Sequence, residues 1–118
     1  MSWLSRRAFG LTMLCAMLCA CTSPTLPLPP PAEPSILASV TPGLVTLTST
    51  TGAQPNAIIV VFNTNPAVSR DDRVSATQAD ERGSWKVDVV ASSGDRLDIT
   101  QEIDTDRSPS TSITVPKL

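Results

Sequence analysis

The sequence predicts an all-β sandwich, and three observations carry the prediction. Short apolar runs alternate with polar residues at a period of two. Clusters of turn-forming residues separate these runs roughly every 8–12 residues. Beyond residue 20, no segment carries an apolar stripe at the helical spacing of about 3.6 residues.

Val45 and Leu47, spaced by Thr46 and Thr48, open the series. Ala57-Ile58-Ile59-Val60-Val61-Phe62 is apolar on both parities, the pattern of a central strand covered on two sides, which places Phe62 in the core. Val74 and Ala76 alternate with Arg73, Ser75 and Thr77, which predicts an inward face at Val74 and Ala76. Trp85, Val87 and Val89 share one parity, with Lys86 and Asp88 opposite, so Trp85 is expected as a core residue and not as an exposed stacking platform. Leu97, Ile99 and Ile103 oppose Asp98, Thr100 and Glu102, and Ile113 and Val115 oppose Ser112 and Thr114. The intervening turns are expected at residues 52–56, 63–66, 80–83, 92–95 and 106–110, all rich in Gly, Pro, Asn, Asp or Ser.

The first twenty residues have a different character. Arg6 and Arg7 form a basic head, and residues 8–20 form an apolar run too short to span a bilayer, the pattern of a secretory signal peptide. The run closes on Leu18-Cys19-Ala20-Cys21, which resembles a bacterial lipobox. That resemblance implies processing guided by Leu18 and Ala20, cleavage before Cys21, and acylation of Cys21. Cys19 stands where such motifs usually hold Ala, Ser or Thr. The alternative is cleavage after Ala20 by the general signal peptidase, leaving Cys21 a free thiol. Ser5-Arg6-Arg7-Ala8-Phe9 also resembles the twin-arginine export motif, with Arg6, Arg7 and Phe9 at its marked positions; an ordinary basic head explains the same residues. Thr22 follows Cys21 where Asp would resemble an inner-membrane retention signal. For a Gram-negative host this points to the outer membrane.

Residues 22–34 hold most of the prolines. Such a stretch forms neither helix nor sheet and is expected to be a polyproline spacer, on the order of 40 Å long at about 3.1 Å per residue. The expected organisation is a signal peptide over 1–20, a lipidated cysteine and tether over 21–34, and a sandwich over 35–118.

Composition narrows the function. Removal of residues 1–20 leaves 98 of the 118, room for one domain. Seven basic residues then face eleven acidic ones, a net charge of −4 without a basic stripe, which argues against nucleic-acid binding. All three cysteines lie at or before position 21, so the body must be held by its core without disulfides. The chain has no His and no Tyr, which removes the commonest general base and the commonest zinc ligand, and an enzyme is not expected.

The candidate sites are few. Asp95, Asp98, Glu102, Asp104 and Asp106 form an acidic series that a solvated surface explains; if calcium were bound, Asp104 and Asp106 would be its ligands. Paired carboxylates also serve glycoside hydrolysis, but the chain offers no aromatic platform for a sugar. Asn63-Thr64-Asn65-Pro66-Ala67 and Arg70-Asp71-Asp72-Arg73 mark a loop rich in hydrogen-bonding groups, suited to a partner or simply to water.

Pro42-Gly43-Leu44-Val45-Thr46-Leu47, the Gly83-Ser84-Trp85 element, Gly94-Asp95-Arg96-Leu97-Asp98-Ile99-Thr100 and the ending over 108–116 follow in an order similar to bacterial immunoglobulin-like domains. The likeness covers roughly residues 40–116. It implies an immunoglobulin-like sandwich in which Trp85 fills the space between the sheets. The Asp-x-x-Gly-Asn turn usual before the last strand is replaced by Asp104-Thr105-Asp106-Arg107-Ser108. The expected protein is therefore a non-enzymatic envelope lipoprotein held on a membrane by lipid on Cys21, with no other cofactor and no nucleic-acid partner. Its expected partner is another envelope protein; the alternative is a cell-wall or glycan-binding module.

Overall fold

A computed structural model describes residues 27–118. Arg6, Arg7, Phe9, Leu18, Ala20 and Cys21 lie outside the described residues. The strands are β1 (Ser35–Ala38), β2 (Leu44–Ser49), β3 (Ile58–Asn63), β4 (Val74–Gln78), β5 (Trp85–Val90), β6 (Arg96–Ile103), β7 (Asp106–Arg107) and β8 (Thr111–Thr114). The helical element among the described residues is a single 3-10 turn, Arg70–Asp72.

The strands form two sheets. One has the order β1-β2-β5; the other has the order β4-β3-β6, with β7 and β8 both pairing β6 along its remaining edge. Every pairing is antiparallel. Val45, Leu47, Trp85 and Val89 of the first sheet share one buried cluster with Ile59, Val61, Leu97, Ile99 and Ile113 of the second. Two antiparallel sheets enclosing a common core is the arrangement of a β-sandwich.

The alternation predicted for β5, β6 and β8 is present, whereas in β2 Thr46 is buried together with Val45 and Leu47. Trp85 and Val89 are buried while Lys86 and Asp88 are exposed, and Ile113 is buried between exposed Ser112 and Thr114. The Trp85 Nε1–H finds no acceptor inside the core.

Phe62 is a correction: it is 40% exposed and is not a core residue. β3 is central in its sheet but covered on one face only. Its inward residues are Ile59 and Val61, and its outward residues are Ile58, Val60 and Phe62. The β4 face is reversed for the same reason. Register pairs Phe62 with Val74 and Val60 with Ala76, so both β4 residues follow the outward side, and Val74 is 54% exposed. Ser75 and Thr77, half-buried, face inward opposite Val61 and Ile59.

Antiparallel pairing sorts the connections onto two ends. Residues 50–57, 79–84 and 104–110 join the entering segment 27–34 at one end, tied by Ala32 N–H to Gly52 O at 2.8 Å and Asn56 N–H to Asp80 O at 3.0 Å. Residues 39–43, 64–73 and 91–95 lie at the other, tied by Thr64 N–H to Arg96 O at 3.0 Å and Ala91 N–H to Gly43 O at 3.3 Å.

The proline segment is not a free spacer throughout. Pro31 and Pro34 are buried against the domain, so packing begins at about residue 29 and not at Ser35. Gly83 is required twice at this end: its φ is +79°, and a Cβ there would strike the Ala53 carbonyl oxygen.

Candidate functional site

A buried polar side chain organises each end: Asp95, expected only as one member of a solvated acidic series, and Gln101, which was not named from the sequence. At the end remote from the entering segment it is Asp95, which is 7% exposed. Asn63, the last residue of β3, donates from Nδ2 to Asp95 Oδ2 at 3.0 Å and to Val90 O at 2.9 Å. Asn65 donates from Nδ2 to Asp95 Oδ1 at 2.8 Å, and the Ser92 N–H reaches Oδ2 at 3.0 Å. The two asparagines also shape their own loop: Asn63 Oδ1 accepts the Asn65 N–H and Asn65 Oδ1 accepts the Ala67 N–H. Burial alone would raise the Asp95 pKa, but hydrogen bonds from Asn63, the Ser92 N–H and Asn65 together hold it below the ordinary 3.8.

Arg73 closes the loop from its other side, donating to Val68 O at 2.8 Å and Pro66 O at 2.9 Å. Within the expected Arg70-Asp71-Asp72-Arg73 patch, Arg73 is therefore committed to the backbone, and Asp72 accepts from the Ser69 hydroxyl. Arg70 and Asp71 remain exposed at the tip. The Asn-rich segment is thus the loop of the β3–β4 hairpin, fastened at Asn63, Asn65 and Arg73 while Thr64, Pro66, Ala67 and residues 69–72 stay exposed.

At the entering end the organising residue is Gln101, 1% exposed on the inward parity of β6. Its Oε1 accepts the Gln54 N–H at 2.8 Å and its Nε2 donates to Pro29 O at 2.7 Å. Its backbone N–H donates to Ser108 Oγ at 3.0 Å, and its carbonyl accepts the Ser108 N–H at 2.9 Å. The pairing slips here by one residue, from Glu102 opposite Arg107 to Ile99 opposite Thr111. Pro109, which has no N–H to pair, sits in the resulting bulge.

The acidic series is dispersed. Asp98 pairs with Arg96 and Glu102 with Arg107 on the outward face of β6. Asp104 occupies a tight turn at φ +54°, and Asp106 is exposed on β7. Among the described residues no three His, Cys, Asp or Glu side chains gather to hold a metal ion. Asp80 accepts the Ser84 and Arg82 N–H groups, which, Ser84 first, hold its pKa below 3.8.

Two open troughs lie on the first sheet's side. One, of about 290 Å³, is lined by Ala32, Glu33, Ser35 and residues 48–52; the other, of about 260 Å³, by residues 37–40 with Thr46, Lys86 and Asp88. Thr46 donates to Asp88 at 2.6 Å within the second. Neither holds two carboxylates, the arrangement acid–base hydrolysis of a glycoside needs.

Comparison with protein-family models, with curated proteins and with solved structures finds no match.

Proposed function

We propose that the chain is a lipid-anchored envelope protein whose immunoglobulin-like sandwich is a non-enzymatic binding module. It presents the loops of its remote end to another envelope protein. The supporting observation is polarity: the segment leading from Cys21 enters at one end, while the loops fastened by Asp95 lie at the opposite end. Loops on a rigid scaffold, pointing away from an anchor, suit capture of a partner. The immunoglobulin-like reading is supported by strand order. β1-β2-β5 opposite β3-β6-β8 corresponds to strands A, B, E opposite C, F, G of that fold, with β4 beside β3 where constant-type domains place strand D beside E.

The glycan-binding alternative draws support from Phe62, a half-exposed ring registered beside Asp98 on an outward face. Photo-crosslinking in intact cells separates the two. A crosslinking residue at Ala67, at the remote end, should capture one envelope protein, whereas one at Ser110 should not. Capture of glycan fragments from Phe62 alone would move the function to the sheet face, and protein capture from Ser110 alone would reverse the orientation. Fatty-acid labelling should be lost in Cys21→Ala; persistent labelling sinks the anchor.

A further inference from the structure

Residues 29–34 lie on the domain as a peptide lies in a groove. Prolines at 29, 30 and 31 have carbonyl acceptors but no N–H, so a surface that recognises this stretch must offer donors. The domain offers two: Gln101 Nε2 to Pro29 O at 2.7 Å, and the Thr111 hydroxyl to Pro31 O. At the first non-proline residue the requirement reverses, and so does the groove, where Gly52 O accepts the Ala32 N–H at 2.8 Å. The ring of Pro31 is fully buried and Pro34 is buried. Gly52 permits the approach: a Cβ there would strike Ser49 Oγ and come within 3.2 Å of the Ala32 Cβ.

Gln101 makes the groove more than a chance contact. A primary amide buried in a core is costly unless its donor and acceptor are both used. Its Oε1 is satisfied by the domain's own Gln54, but its Nε2 is satisfied by Pro29. The domain therefore carries a buried donor whose partner comes from the proline segment.

We propose that this end of the domain is a binding groove for proline-rich segments. It reads the carbonyls of two prolines two residues apart and the N–H that follows them. Residues 29–34 of the same chain occupy it in cis, and a like segment in trans takes their place when they are withdrawn. This inference stands whether or not Cys21 carries lipid or the remote loops bind a protein.

The test uses the full mature chain carrying Pro29→Ser, Pro30→Ser and Pro31→Ser, with a fluorescent synthetic peptide of residues 22–34 as probe. The peptide should bind this variant saturably. It should bind the unaltered chain at least about ten-fold more weakly, because the tethered segment competes at high effective concentration. Adding Gln101→Leu to the variant should abolish binding. Absence of binding to a folded triple variant, or equal binding to both chains, overturns the proposal. Should the triple variant fail to fold, amide exchange in the unaltered chain decides the matter. The Ala32 amide should be protected and should lose protection in Thr111→Val; an unprotected Ala32 amide, or one indifferent to Thr111, overturns it.

Discussion

Each end of the domain fastens an irregular segment through one buried polar side chain in or beside β6, and the two side chains differ in chemistry. Asp95 carries only acceptors and gathers donors: two asparagine amides and the Ser92 N–H. Gln101 carries both, and joins an N–H-bearing loop at Gln54 to the run of three prolines at 29–31, which has carbonyls only. The segment to be held dictates the residue. A carboxylate at 101 could not donate to Pro29, and an amide at 95 would set a donor among the donors supplied by Asn63, Asn65 and Ser92. One clamp depends on charge and the other does not, so acid should distinguish them.

The largest expected effect tests the ground the two clamps share. Trp85→Ala should cost about 3–5 kcal/mol in urea unfolding and release both ends in one transition. Two separable transitions would show that the ends fold independently. Trp85→Phe keeps most of the volume and deletes an N–H that has no acceptor, so its loss should be far smaller.

Next, Asp95→Ala strips the partner from Asn63 and Ser92 and should cost about 1–3 kcal/mol. Acid makes the same cut in the unaltered chain. The folded pKa values of Asp95 and Asp80 lie below the ordinary 3.8, so the unfolded state binds protons first as pH falls. Their stabilisation is complete above the ordinary value and is lost as pH drops through the lowered ones. Urea midpoints measured from pH 6 to pH 2 should fall, and Asp95→Asn should flatten that fall.

Gln101→Leu should cost on the order of 1–3 kcal/mol, through the orphaned Gln54 N–H and Pro29 carbonyl, with the acid dependence unchanged. An altered acid slope would mean that the two clamps are coupled. The smallest effect is expected on a face that belongs to neither clamp: Phe62→Ser should change stability by about 1 kcal/mol or less.

Strand faces were legible where one parity was strongly apolar and the other polar, as in Trp85-Lys86-Val87-Asp88-Val89, with β4 the exception. Where both parities are apolar the rule has nothing to work with. Hydrophobicity could not say which side of Ile58, Ile59, Val60, Val61 and Phe62 faces the core, and β4 inherited the ambiguity through its register. Val74 and Ala76 then misled, because on this short edge strand it is Ser75 and Thr77 that lie opposite the buried residues of β3.

The two clamps were hidden differently. Gln101 sits on the parity of Leu97, Ile99 and Ile103, and a lone polar residue on an apolar parity is the signal that marks a buried hydrogen-bonded amide. Asp95 was submerged in an acidic series, although it follows Ser92-Ser93-Gly94 in a turn, where a carboxylate can meet backbone N–H groups. Neither Asn63 nor Asn65 announces Asp95 as its partner, since about thirty residues separate them and only the pairing of β3 with β6 brings them together.

The seated proline segment also sets the order in which the chain yields to traction from its N-terminal side. Tension reaches the bonds at Pro29, Pro31 and Ala32 before it reaches the β1–β2 ladder that begins at Ser35. These contacts follow one another along the segment, so they can part in succession while the sheets stay intact. Residues 29–34 then come free of the domain, and a pull applied ahead of Pro29 is absorbed as added length before any loss of the sheets.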